Sequence, residues 1–446
     1  MRIGEADKHP AVIGDSFRTR RKRVSGLKSS ISRLVRPPGP PPKLIFDQLE
    51  ARLLMSADPV LIDLSALQPA QQNHDVLVRF LDEVVTIGDQ TQHLQRIEAV
   101  DRNNPNVVLA SQAIADGSSV KVIGGAGNDS VTFDLSSLGE SAPKPQISVV
   151  GGGGNDTLSV IARHGDSVGW HLDGQGGGDI NGAAQISFSS VEHLDGGSED
   201  DTIYGSTLDI NWLVNGANSG SVGAYFFDGF ENLVGATNSN DIFSVTSDGS
   251  LHGFLDGGNG GYDTLVLDTG AVQNLLSTAT SSHDGSIAYD GRLVSYRGLE
   301  PVTIAGVQAN ITFDISALDG NWSGNNVARL HYVTSLSMME LESVNGHFES
   351  QRFNAPTTSL TINARTGTDD VEIASLSPDF DASLTVNTLA SGYDPFDNGG
   401  LLPGDNIYTH NSIIRVTGDI ALHGNALTLI GDTIYVGTVA QQTGSQ

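Results

Sequence analysis

The chain has 446 residues, 53 of them glycine and none cysteine; glycine at about 12% exceeds the roughly 7% of an average protein. Disulfides and thiol catalysis are thereby excluded. Lys and Arg number 24 against 52 acidic residues, and a net charge of −28 makes most of the chain a poor partner for nucleic acid or an anionic membrane.

Asp, at 39, outnumbers Glu threefold, so the acidity sits on a residue that favours turns and binds cations rather than on a helix former. Hydrophobic residues make up 38% and aromatics 6%. That is lean for one large globular core and better suited to the thin continuous core of a solenoid. No run of about 18 apolar residues occurs, so no helical transmembrane span is expected. The start, MRIGEADKHPAVIGDSF, lacks the apolar stretch and cleavage site of a secretory signal peptide.

Charge is unevenly distributed. Residues 1–43 carry a net +8, with Arg18, Arg20, Arg21, Lys22 and Arg23 as the densest cluster, and end in a proline run (Pro37 to Pro42, broken only by Gly39) that reads as an extended spacer. The rest of the chain carries −36. A like-charge block of this kind is expected to be a solvated, disordered arm, or to touch anionic lipid head groups or an export machine. Residues 44–68 (KLIFDQLEARLLMSADPVLIDLSAL from Lys43) combine a short helical pattern at Leu49, Leu53 and Leu54 with an extended apolar tail. Residues 69–110 read as a polar, irregular linker or cap, with Leu77, Val78, Phe80 and Leu81 as its apolar knot.

From about residue 111 to residue 300 the chain repeats one figure: a short alternating apolar run, a Gly-rich turn ending in Asp, and another apolar run. SVKVIGGAGNDSVTFDL (119–135), PQISVVGGGGNDTLSVI (145–161) and LHGFLDGGNGGYDTLVLD (251–268) each read as strand, tight turn, strand. Val120, Val122, Val131 and Phe133 should share one face. Two turns match G-G-x-G-x-D-x-(large apolar)-x without a mismatch: Gly124, Gly125, Gly127, Asp129, Val131, and Gly151, Gly152, Gly154, Asp156, Leu158. That nonapeptide is a known calcium-binding repeat. The backbone must curl so that carbonyl oxygens face the ion, and the Asp supplies an anionic oxygen. Ca²⁺ takes six to eight oxygens, so an adjacent coil must complete each site.

Eroded copies follow. GGSEDDTIY keeps Gly196, Gly197, Asp201 and Ile203; GGNGGYDTL keeps Gly258, Gly261 and Asp263 in a shifted register; ATNSNDIFS keeps Asn240, Asp241 and Phe243; GTDDVEI (367–373) is a last relic. The uneven spacing of these Asp residues predicts large coils with one turn each and a low calcium stoichiometry. The bland alternative is that Gly and Asp only shape bends, without metal.

These turns resemble the RTX family of secreted Gram-negative proteins over roughly residues 119–268. Independently, LEARLLMSAD (49–58) resembles the LEPR-XLL segment found near the N-terminus of very large bacterial surface or exported proteins, with Ala51 in place of the family's proline and Met55 in place of its second paired leucine. The resemblances imply an all-β, right-handed parallel β-solenoid, calcium as the bound ion, and a secreted or cell-surface, adhesin-like protein that folds on extracellular calcium. Expected partners are export machinery and host or matrix glycans or proteins, with no nucleic acid.

Residues 301–446 read as a second solenoid-like region without the metal signature, with an apolar ladder through Ile414, Val416, Ile420, Leu422, Leu427, Leu429 and Ile434. The ending VAQQTGSQ shows no capping element or export signal, as expected of a fragment of a longer protein.

The catalytic candidates are weak, and no enzyme is expected. A GxSxG occurs at Gly165–Gly169, with Ser167 between His164 and His171, but the following WHLDGQGGGDI cannot form the helix a nucleophile elbow requires. The Asp200–Asp201 and Asp369–Asp370 doublets raise the alternative of a glycan-active parallel β-helix lyase, epimerase or hydrolase. Neighbours in a strand, however, point to opposite faces. A third alternative is a structural stalk that needs no metal.

Overall fold

The computed structural model describes residues 59–67, 72–87, 90–114, 118–139, 144–316, 325–364, 368–389 and 412–437. All belong to one compact unit spanning residues 54–446. The basic arm, the proline spacer and the LEPR-XLL-like segment lie outside the described residues.

Among the described residues there is no α-helix, only one 3₁₀ turn at Leu64–Ala66 among thirty-two strands. Gly- and Asp-rich punctuation and the scarcity of Glu, Lys and Met account for this. The three strand–turn–strand figures form as expected: Ser119–Ile123 with Ser130–Asp134, Gln146–Val150 with Thr157–Ile161, and Phe254–Asp256 with Thr264–Ala279. Val120, Val122, Val131 and Phe133 are all buried, so the period of two sets the buried face as read.

Pairing is mostly parallel and runs along two ladders. The first stacks Val60–Asp63, Ser119–Ile123, Gln146–Val150 and Gln185–Ser189 in parallel. It then passes antiparallel through Gly177–Asn181 to Val168–Leu172, and continues in parallel through Asp201–Tyr204, Asn232–Val234, Phe254–Asp256 and Arg292–Arg297. The second stacks Asp75–Ile87, Ser130–Asp134, Thr157–Ile161, His193–Asp195 and Tyr225–Asp228 in parallel. Ser219–Val222 links it, antiparallel, to Asn211–Gly216, above which Ile242–Val245 and the start of Thr264–Ala279 follow in parallel. The chain alternates between ladders, and each three-strand antiparallel meander is an insertion that leaves the stacking intact. Thr264–Ala279 and Val302–Asp314 pair along most of their length, so a continuous ladder bridges the boundary expected near residue 300.

A single core cluster lies between the strands. Trp170 is fully buried and meets Phe188 and Phe230 edge-on at 6.1 and 5.4 Å between ring centres, and Trp212 stacks on Phe243 at 5.2 Å. Each such large side chain contributes about 1.5–3 kcal/mol through burial.

Within the region 69–110 the described residues differ from the sequence reading. From Asp75 onward they belong to an antiparallel meander of Asp75–Ile87, Gln90–Asp101 and Asn104–Ala113. Val76, Val78, Phe80, Ile97 and Ala99 face the core, whereas Val84, Val107 and Val108 are exposed. Only part of the meander is covered by the rest of the fold, so its outer part shows no clean alternation to read.

Candidate functional site

The candidate turns connect the two ladders, and strand register brings their acidic residues into columns. Ser130 pairs with Thr157 and Thr157 with His193, which stacks the residues just before them: Asp129, Asp156 and Glu192. A second column runs Asp241, Asp263, Glu300, Glu349 by the same rule. A third pairs Asp201 with Glu231. Parallel strands lie about 4.8 Å apart, so carboxylates at equivalent positions are immediate neighbours.

In these columns Asp129, Asp156, Glu192, Glu231 and Asp263 each accept the backbone N–H of the residue stacked beside them on the neighbouring strand. The His74 amide donates to Asp129 Oδ1 at 2.9 Å, the Asp129 amide to Asp156 Oδ1 at 2.8 Å, and the Asp156 amide to Glu192 Oε2 at 2.8 Å. The Asp201 amide donates to Glu231 Oε2 at 2.9 Å, and the Asp241 amide to Asp263 Oδ1 at 2.7 Å. The residue before the Asp makes the reciprocal bond. The Asn128 amide donates to Asn73 Oδ1 at 2.9 Å, the Asn155 amide to Asn128 Oδ1 at 3.0 Å, and the Tyr262 amide to Asn240 Oδ1 at 2.9 Å. An Asn-Asp pair thus clasps the turns stacked on either side of it, satisfying turn amides that would otherwise lack partners.

The glycines follow from the same stacking. A Cβ on Gly124 would fall 1.6 Å from the Gly151 carbonyl oxygen, and one on Gly151 would fall 1.8 Å from that of Ser190. Gly152 sits at φ 106°, in the region that side chains avoid. Gly127 and Gly154 are likewise pressed against a neighbouring backbone, and the Gly125 carbonyl already accepts the Gly153 amide. Gly196 lies against Gly229. The shifted register of the 257–263 turn is one extra residue: Gly257 takes the place of Gly151, and Gly258 that of Gly152.

All five Asp residues at 129, 156, 201, 241 and 263 are buried, the most exposed at 3%. Burial pushes Asp156 up to about 6, opposed by the hydrogen bond from the Asp129 amide and reinforced by the Asp129 and Glu192 charges. Asp263 is pushed up to about 6 by burial, again against its amide bond and with help from Asp241 and Glu300. Asp201 is pushed up to about 8 by burial and then by Glu231, with the Val168 amide working in the other direction. Burial also raises Asp241.

The oxygens left over decide which turns suit a hard cation. Asp129 has both engaged, Oδ1 by His74 and Oδ2 by the Gly125 amide. Asp156 Oδ2 and both oxygens of Asp201 are buried with no hydrogen-bond partner at normal geometry among the described residues. Calcium is bound by oxygen donors of this kind. Asp156 and Asp201 therefore fit such an ion, and Asp129 does not offer a free oxygen.

The other sequence candidates are dispersed. Ser167 leads into the strand Val168–Leu172, His164 meets Glu199 at 3.2 Å, and His171 stacks on Tyr204 at 4.5 Å. In the doublets, Asp201 and Asp369 are buried, while Asp200 accepts the Asn232 side-chain amide and Asp370 pairs with Arg415. Sequence reasoning missed Glu192, Glu231, Glu300 and Glu349, which share the columns without sharing the motif. Their one local signal is an acidic residue just before a strand.

Fold and site together define an all-β protein of mostly parallel ladders whose turns carry columns of buried carboxylates. Comparison with known family models and with curated proteins finds no match.

Proposed function

We propose that this chain is a non-enzymatic, calcium-responsive β-solenoid of the RTX type, part of a secreted or cell-surface, adhesin-like bacterial protein. The observation that carries this reading is that Asp156 Oδ2 and the Asp201 oxygens, buried inside columns of stacked carboxylates, have no hydrogen-bond partner at normal geometry among the described residues. The LEPR-XLL-like segment and the basic arm support export.

The mechanism is electrostatic. Without cation, the columns place like charges one coil apart in a poorly solvated setting, which opposes folding at neutral pH. Bound Ca²⁺ would supply the positive charge that the columns lack, with Asp156 and Asp201 holding it beside Glu192 and Glu231. Binding free energy then adds to folding free energy. A chain kept loose in calcium-poor cytoplasm would fold after export.

A metal-independent stalk is the second reading, favoured by Asp129, whose two oxygens are already satisfied by protein donors. Circular dichroism and thermal melting of the full chain, in chelator and across a calcium titration at neutral pH, separate the two. A calcium-dependent gain of β signal and of melting temperature supports the first. Identical melting in chelator and in calcium supports the stalk.

A further inference from the structure

His283, Glu300 and Glu349 come from three separate segments, and each brings one ligand atom into a group whose members all lie within 4.8 Å of one another. His283 sits in the connection between Thr264–Ala279 and Gly285–Tyr289. Glu300 stands two residues before the start of Val302–Asp314, and Glu349 two residues before the start of Gln351–Phe353, in register with it. The Leu299 amide donates to the His283 carbonyl, which ties the His segment to the Glu300 segment.

His283 Nδ1 stands 3.3 Å from Glu300 Oε2 and 3.3 Å from Glu349 Oε2. Nδ1 can carry only one proton, so it cannot donate well to two carboxylates at once. Both separations also exceed the roughly 2.7–2.9 Å of a charge-assisted hydrogen bond. A separation of this size is instead what a tetrahedral ion with bonds of about 2.0–2.1 Å imposes on two of its ligands.

The surroundings favour a cation. Glu349 is buried, with Glu300 at the equivalent register position on the neighbouring strand. Arg352, the nearby base, is bonded to Glu340. The Tyr296 hydroxyl is buried with no hydrogen-bond partner among the described residues. His283 is about half exposed, which leaves a route in from solvent.

We propose that His283, Glu300 and Glu349 form a site for a first-row divalent transition ion of the zinc class, separate from the Gly-Asp turns. One imidazole nitrogen and two carboxylate oxygens suit such an ion, whereas calcium prefers an all-oxygen shell of six to eight ligands. Three protein ligands leave a fourth position for water. The ion staples the inserted hairpin to two successive coils, at a point where Glu300 and Glu349 otherwise repel.

The test is calorimetric titration of ZnCl₂ into the full chain, stripped with chelator and then held in excess calcium. The wild type takes up one more equivalent of zinc than His283→Ala and Glu349→Gln, and Asp156→Asn keeps that equivalent. Co²⁺ in place of zinc gives a visible absorption band in the wild type that His283→Ala lacks. Circular dichroism of the variants confirms that they are folded; His283 is exposed enough to be replaced without disturbing the core. Equal zinc uptake by wild type and a folded His283→Ala, or displacement of the ion by calcium alone, overturns the proposal. Because calcium is held in excess throughout, failure here leaves the calcium reading of the turns standing, and failure of that reading leaves this result unchanged.

Discussion

The backbone amide of Asp129 donates to the side chain of Asp156 at 2.8 Å, across 27 residues and between two stacked parallel strands. The aspartate of one turn is therefore the acceptor for the turn next to it, and the same relation joins Asp241 to Asp263 across 22 residues. A Gly-Asp turn in this protein is a clasp between stacked strands before it is anything else.

Asp156→Ala removes the acceptor of a buried amide and should cost about 1–3 kcal/mol, the penalty of an unmet buried donor. Asp156→Asn keeps an acceptor oxygen and removes a buried charge, so in chelator it should be clearly less destabilising than Ala. Urea unfolding of the two variants in chelator measures the difference. In calcium, the Asn variant should lose part of the wild-type response.

Gly151→Ala places a methyl group 1.8 Å from the Ser190 carbonyl oxygen. Overpacking against backbone should cost at least about 1–3 kcal/mol. Gly139→Ala is the control, since a Cβ there meets nothing within 4 Å. Thermal melts of the pair should separate by several degrees, and equal melts would contradict the stacking.

Asn128 accepts the Asn155 amide, and Asp209 holds the equivalent place beneath Asn240, whose amide it accepts at 2.8 Å. Asn128→Asp should therefore be tolerated. Asn128→Leu should cost about 0.5–1.5 kcal/mol, the net worth of one hydrogen bond. Hydrogen exchange at the Asn155 amide reports the loss directly.

Stability in chelator should fall as pH rises. Asp156 and Asp263 are pushed up to about 6, and Asp201 and Glu349 to about 8, so the folded state holds these protons more tightly than the unfolded chain does. Their contribution is fully present below the ordinary carboxylate range and is lost as pH rises through 6 to 8. Asp173 and Glu199 are lowered and act in the opposite sense, but only at more acidic pH. Melting in chelator at about pH 5 should thus exceed melting at about pH 8.5, and calcium should narrow the gap from the alkaline side.

Much of the local structure is written in the sequence. The alternation of Val120, Val122, Val131 and Phe133, and the glycines between them, mark strand, turn and buried face, because a period of two is a property of a few consecutive residues. The excess of Asp over Glu and the complete turns at 124–129 and 151–156 mark where acidic groups gather. Tertiary structure alone decided what those groups touch. Glu192 and Glu300 join the columns because inserted meanders of different lengths return the chain to the same register, and no local pattern encodes that return. The same holds for His283 and Glu349, which meet across 66 residues. Stacking converts separate turns into continuous columns, and only the stack determines which carboxylates are buried, which are satisfied by amides, and which keep an oxygen free for an ion.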